Sequence, residues 1–182
     1  RGTNVIVVNS GKDAREKIIA MIPKGSEVAN GSSTTLNQIG FTDFLKSGMH
    51  GWKNLHEMVL AEKDAEKQSD LRRKMDAAEY FLGSVNAIAE TGELVACDAS
   101  GSRVSAYPFA AKKLILVAGC QKIMPTLNDA MARVREYVFR LEDSRAQKAY
   151  GAHSTLGKWV IIEREINPKR ITLILVKEKL GF

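Results

Sequence analysis

Two short stretches hold the residues whose types and spacing could do chemistry. In "VANGSSTTLNQIG" an apolar run ends at Asn30, and Gly31, Ser32, Ser33, Thr34 and Thr35 follow before a helical pattern begins. Small hydroxyl side chains beside the backbone N–H groups of a helix start can hold an anion. The same residues also serve plain capping, with Ser33 or Thr34 as N-cap and no ligand. In "NAIAETGELV" Glu90, Thr91 and Gly92 lead into an apolar run, with Asn86 just upstream. A carboxylate acts as a nucleophile when it is desolvated and held against an acyl carbon. Glu90 could equally line a pocket, or sit in a turn made by Thr91 and Gly92. Asn86 can bond a ligand or a neighbouring loop. Arg103, in "SGSRVSA", either grips an anion bidentately or lies on the surface. Lys122, in "GCQKI", follows a strand end and is read as a solvated lysine that could reach the same crevice.

Other chemistries lack their residues. His50, His56 and His153 do not have metal-ligand spacing, so no metal is expected. No serine lies in a nucleophile-elbow context, and no Gly-Lys-Ser/Thr follows the hydroxyl loop. Cys97 and Cys120 each close an apolar run and read as buried free thiols. Two separated cysteines do not make an iron–sulfur site, so the chain is expected to carry no cofactor. They fit a reducing, cytoplasmic setting.

The elements that must position these residues begin as strand, helix, strand. "NVIVV" is a continuous β-branched run, as in a strand buried on both faces of a parallel sheet. Ser10 is a plausible N-cap for "KDAREKIIAMI", which Pro23 and Gly25 end, and "SEVANG" is the next strand. Gly40 closes the short helix after the hydroxyl loop, and Thr42 caps another. Residues 55–78 read as one or two helices with one largely exposed face. "ELVAC" and "KLILV" are strands, the second central. Residues 125–149 form a long amphipathic helix with Leu127, Ala130, Met131, Val134, Val138 and Leu141 inward. "KWVIIERE" and "RITLILVKE" flank the turn signal "INPK" and read as an antiparallel pair. The whole is α/β: a three-layer Rossmann-like sheet with a C-terminal antiparallel strand pair.

The 182 residues suit one domain over 1–182, with 45% hydrophobic and 26% charged residues as in ordinary globular chains. No apolar run approaches the roughly 20 residues that span a bilayer. The net charge of +6 comes from scattered small clusters without an RNA-binding aromatic motif, so no specific nucleic-acid partner is expected.

With "NGSSTTLNQIG", "NAIAETGELV", "SGSRVSA" and "KKLILVAGCQKIMPTLNDAMARVREY" in that order, the chain resembles the LUD domain family, the lactate-utilisation proteins. The resemblance implies a fold like that of sugar-phosphate isomerases and CoA transferases. It also implies a pocket built from residues 31–35, Asn86, Thr91 and Arg103 for a small anion: a carboxylate, a phosphate or a CoA-like thioester. "ETG" is similar to the glutamate-asparagine-glycine element of CoA transferases, which gives Glu90 the nucleophile's part. The family's pathway, oxidation of lactate or a related hydroxy acid, puts redox groups on iron–sulfur oxidoreductase partner subunits. The cysteine-rich tail of some members has no counterpart in "AYGAHSTLGKWVIIERE". A stand-alone isomerase or acyl-transfer enzyme, and a non-enzymatic binding or assembly module, remain open alternatives.

Overall fold

The computed structural model describes residues 1–182. Its main sheet has six strands: β1 (Asn4–Val8), β2 (Glu27–Asn30), β3 (Lys53–Asn54), β4 (Tyr80–Gly83), β7 (Lys113–Gly119) and β10 (Ile171–Val176). They lie in the order β1-β10-β7-β4-β2-β3, and every pairing is parallel. β7 is central, as its unbroken apolar run predicts. Leu114, Leu116 and Ala118 face one core, while Ile115 and Val117 face the other. A parallel strand covered on both faces has no solvent side, so its sequence does not alternate.

Helices α1 (Gly11–Met21), α2 (Thr34–Gln38) and α3 (Phe41–Lys46) cover the Ile115 and Val117 face, packing Ile18, Leu36, Phe41 and Leu45 against these two and Val28. Ser10 caps α1 through a capping box with Asp13. On the other face lie α4 (Leu55–Ala61), α5 (Ala65–Asp76) and a small sheet. That sheet has the order β8-β5-β6-β9, from β5 (Ala87–Ala89), β6 (Leu94–Asp98), β8 (Ile123–Met124) and β9 (Lys158–Ile162). β6 does alternate: Leu94 and Ala96 point to the main core, Val95 and Cys97 to the far side. There α6 (Leu127–Arg133) closes over it with Ala130, and the helix runs on through a π turn at Val134–Val138 into α7 (Phe139–Tyr150).

The α/β class holds, and four details differ from expectation. The last two strands do not pair: β9 joins β6 antiparallel, while β10 enters the main sheet between β1 and β7. The cause lies in their burial. Five of the six residues of "ITLILV" are buried in the main sheet, whereas "KWVII" buries only Ile162. "NVIVV" forms an edge strand with Val5 and Val7 more than half exposed, since nothing pairs beyond β1. "ELVAC" belongs to the small sheet. Gly40, in the left-handed conformation, occupies the N-cap of α3 in place of Thr42, whose hydroxyl bonds Asn37 at 2.6 Å.

β4 ends at Gly83 against the fully buried Tyr107, whose hydroxyl donates to the Ser84 carbonyl at 2.9 Å. A Cβ on Gly83 would stand 2.1 Å from that hydroxyl oxygen. Gly83→Ala must therefore displace Tyr107 or the strand end. Urea unfolding should show a loss of about 1–3 kcal/mol, the usual cost of overpacking a dense core.

Candidate functional site

β7, β4 and β2 are neighbours, so their carboxyl ends open side by side on one edge of the main sheet. That edge receives residues 31–35 after β2, Ser84, Val85 and Asn86 after β4, and the turn Cys120–Lys122 after β7. The small sheet adds Cys97 and Asp98 from the end of β6, and the loop that follows supplies Arg103. Together they enclose a cavity of about 370 Å³, to which α4, α5 and α7 give His56, Arg72 and Arg145. Ligands of open parallel sheets occupy this kind of crevice.

Lys122 lines the crevice after the strand end, as its position allows, but its environment is not the expected one. It is buried, not solvated, with only 2% of its surface exposed. Its Nζ donates to Thr35 Oγ1 at 3.2 Å, Ser84 Oγ at 3.0 Å and the Val85 carbonyl at 3.0 Å. Three donors thus meet three neutral oxygens, and no carboxylate balances the charge. Burial, helped by the positive charges of Arg133 and Arg103, pushes its pKa down to about 7. The signal available in sequence was a cation placed just after the central strand's carboxyl end.

Arg103 crosses between loops. Its aliphatic stem lies on Gly31, where a Cβ would come within 2.5 Å of Cγ. Its guanidinium donates to the Cys97 carbonyl at 2.7 Å and the Ser84 carbonyl at 3.3 Å, and its Nε stands 3.7 Å from Asp98. Asp98 in turn accepts the backbone N–H groups of Gly101, Arg103 and Val104. Each terminal nitrogen of Arg103 keeps one further N–H for another acceptor.

The hydroxyl loop divides its labour. Ser33 caps α2, accepting from the Leu36 N–H at 3.2 Å, so the capping reading holds there. Thr35 is buried and turned to Lys122 and Ser84. Gly31, Ser32 and Thr34 line the cavity with it. Asn30, just before the loop, lines the cavity with a buried Oδ1 that has no protein donor. Asn86 reaches the site, but its Oδ1 accepts the Cys97 N–H at 2.8 Å and its carbonyl accepts Arg133 at 2.9 Å, so it fastens β5 to β6 and α6. His56 lowers its pKa through burial first and the charge of Arg72 second, and its buried Nδ1 has no partner.

Glu90 and Thr91 do not reach the site. β5 leads away from the cavity at Asn86 and β6 returns to it at Cys97, so the segment between them is the far tip of a hairpin. The Thr91 carbonyl accepts Arg1 Nε at 2.5 Å, and Glu93 pairs with the same arginine. Arg1 precedes β1, at the amino edge of a wholly parallel sheet; Gly31 follows β2, at the carboxyl edge. Glu90 is exposed there, outside the cavity, and the shared pocket of Glu90 with the hydroxyl loop does not form. Cys120 is also exposed; Cys97 is buried, and its thiol is pushed up to about 11 by burial and by Asp98. No three His, Cys, Asp or Glu side chains cluster. No helix is long and apolar enough to cross a membrane.

A parallel α/β sheet with a small mixed sheet on one face and a cation-lined crevice at its carboxyl edge defines an α/β protein with one candidate small-molecule site. The LUD domain family model matches residues 1–176, and the chain belongs to that family. In structure it is similar to a DUF162 family protein from Deinococcus radiodurans, at 13% identity over 96% of this chain and 88% of the other, with a TM-score of 0.58. Weaker likenesses are to eIF2B delta from Chaetomium thermophilum (14% identity, 91% and 55% covered, TM-score 0.46) and to ribose 5-phosphate isomerase A from Neisseria gonorrhoeae (11%, 83% and 73%, 0.40). No curated protein is significantly similar in sequence.

The depressed pKa of Lys122 has a thermodynamic consequence. From about pH 7 up to its ordinary value of 10.5 the unfolded chain binds a proton that the folded chain lacks, so stability must rise with pH. Above pH 9 the raised Cys97 thiol acts in the opposite sense, which leaves pH 7–9 as the clean window. Denaturant titrations should show a gain of roughly 2–3 kcal/mol across it. Lys122→Met should flatten that slope.

Proposed function

We propose that the carboxyl-edge cavity binds a small anionic molecule, a carboxylate, a phosphate or a CoA-like thioester. The observation that carries this reading is the buried ammonium of Lys122, which has hydrogen bonds but no counter-charge. A buried cation without an anion is costly, and a bound anion would remove the cost. The wall agrees in sign: Arg72, Arg103, Lys122 and Arg145 line it against only Asp98 and Glu142.

Family membership supports the narrower reading, an accessory role in oxidation of lactate or a related hydroxy acid beside iron–sulfur oxidoreductase subunits. A reducing, cytoplasmic setting goes with it, since both thiols are free. The position of Glu90 weighs against an acyl transfer run through that carboxylate. An isomerase-type reaction stays compatible with the cavity.

Calorimetry with lactate, pyruvate, ribose 5-phosphate and acetyl-CoA tests the reading. At least one should bind and, at about 100 times its Kd, stabilise the fold by roughly 2.7 kcal/mol. Lys122→Met should weaken that ligand at least about tenfold, the loss of one charge-assisted contact, while Glu90→Gln leaves the affinity unchanged. No binding by any of the four, or equal binding by the Lys122 variant, would refute it.

A further inference from the structure

The surroundings of Lys122 suit a reactive amine better than a structural cation. A lysine kept for stability pairs with a carboxylate or snorkels its ammonium to water. Lys122 does neither: it is buried at the cavity wall, and the charges that act on it, Arg103 from the loop after β6 and Arg133 from α6, are both positive. Such an environment favours the neutral amine, the form that attacks a carbonyl.

The cradle serves both protonation states. The ammonium gives its three hydrogens to Thr35 Oγ1, Ser84 Oγ and the Val85 carbonyl. The neutral amine has two hydrogens and a lone pair. Thr35 and Ser84 are hydroxyls 3.2 Å apart, and either can rotate from acceptor to donor. Losing the proton therefore strands no buried group, which would not be so had a carboxylate stood there. Asn30 Oδ1, on the wall of the same cavity, is buried and accepts no protein hydrogen bond, so the cavity offers a ligand hydroxyl one free acceptor.

We propose that Lys122 forms an imine with the aldehyde or ketone carbonyl of a small molecule bearing one acid group, the acid group lying toward Arg103. This rests on the anion-binding reading above and adds covalent chemistry to it. The Nζ lone pair forms the N–C bond as the carbonyl π bond breaks, and the oxygen takes one of the two amine protons to become the carbinolamine hydroxyl. The C–O bond then breaks, the hydroxyl leaves as water with the second amine proton, and the nitrogen lone pair forms the C=N bond. The imine nitrogen takes up one proton from solvent to give the iminium, so no oxidant or further reactant is required. Two acid groups meet the description, the carboxylate of a 2-oxo acid and the phosphate of a phosphorylated aldehyde.

Borohydride trapping separates them. The intact protein is incubated at pH 7.5 with pyruvate or with glyceraldehyde 3-phosphate, reduced, and mapped by peptide mass spectrometry, with binding of each probe measured in parallel by calorimetry. One secondary amine on Lys122 is expected with at least one probe, formed on the order of a hundredfold faster than on surface lysines, whose amines are almost wholly protonated at that pH. Lys122→Arg should lose the adduct while the background labelling of surface lysines stays as in the parent protein. A probe that binds without labelling Lys122, or labelling spread over surface lysines and unchanged in Lys122→Arg, overturns the imine and leaves the anion site standing. Failure of both probes to bind or label overturns the imine, while binding of lactate or acetyl-CoA in the same calorimeter shows whether the anion site survives.

Discussion

The carboxyl edge is tied together at Ser84. Its carbonyl accepts from the Tyr107 hydroxyl at 2.9 Å and from Arg103 at 3.3 Å; its hydroxyl meets Lys122 at 3.0 Å and Thr35 at 3.2 Å. Through these bonds the loops after β2, β4, β6 and β7 share one residue. Each of those loops leaves its strand independently, and loops are ordinarily the mobile part of an α/β fold. A buried polar network whose members are all satisfied fixes them relative to one another instead. The glycines beside the knot follow from it. Gly83 leaves room for Tyr107, and Gly31 leaves room for the stem of Arg103.

The same network sets the electrostatics of the cavity. It brings two cations inward, Lys122 from the main sheet and Arg103 from the loop after β6. Asp98 is the only carboxylate drawn in with them, and three backbone N–H groups already occupy it. Its charge is therefore largely spent on shaping the loop, and Lys122 is left with neutral oxygens. A carboxylate against Lys122 would instead have favoured its charged form. The fold thus leaves Lys122 buried without a counter-charge, and burial with two positive neighbours lowers its pKa.

How much of this was legible in the sequence depended on whether the signal was local. β7 reads as central because burial on both faces is written in its own seven residues, and Ser10, Ser33 and Gly40 announce their turns within a few positions. The hydroxyl loop was placed at the right edge for the same reason. Lys122 was not legible as buried, because the oxygens that hold it come from positions 35, 84 and 85, and only the sheet order makes these neighbours. "NVIVV" and "ITLILV" are both branched apolar runs with one polar residue, yet one is an exposed edge and the other lies inside the sheet. A run of apolar residues does not say which strand comes to lie beside it. Glu90 failed in another way: "NAIAETGELV" does serve the site, but through Asn86 at its start. Asn86 stands at the cavity, as do Cys97 and Asp98 just beyond the end of the stretch, while the acidic centre turns away.

The residues after β10 enclose the cavity on the side of Lys122. Glu178, just beyond β10, accepts the Gly11 N–H at the start of α1 at 2.9 Å, a favourable place for a carboxylate. Gln121 bonds both the N–H and the carbonyl of Leu180, and Gln38 accepts the Gly181 N–H at 2.6 Å. These contacts lay Gly181, in the left-handed conformation, against Thr35 and Lys122, where a Cβ would strike the threonine hydroxyl at 2.3 Å. Phe182 then lines the cavity. Residues from α1, α2 and the turn after β7 thus hold a strap over the amine. The burial that depresses the Lys122 pKa comes partly from this strap, so its anchoring at Glu178 and Gln121 bears on the chemistry of a side chain that neither residue touches.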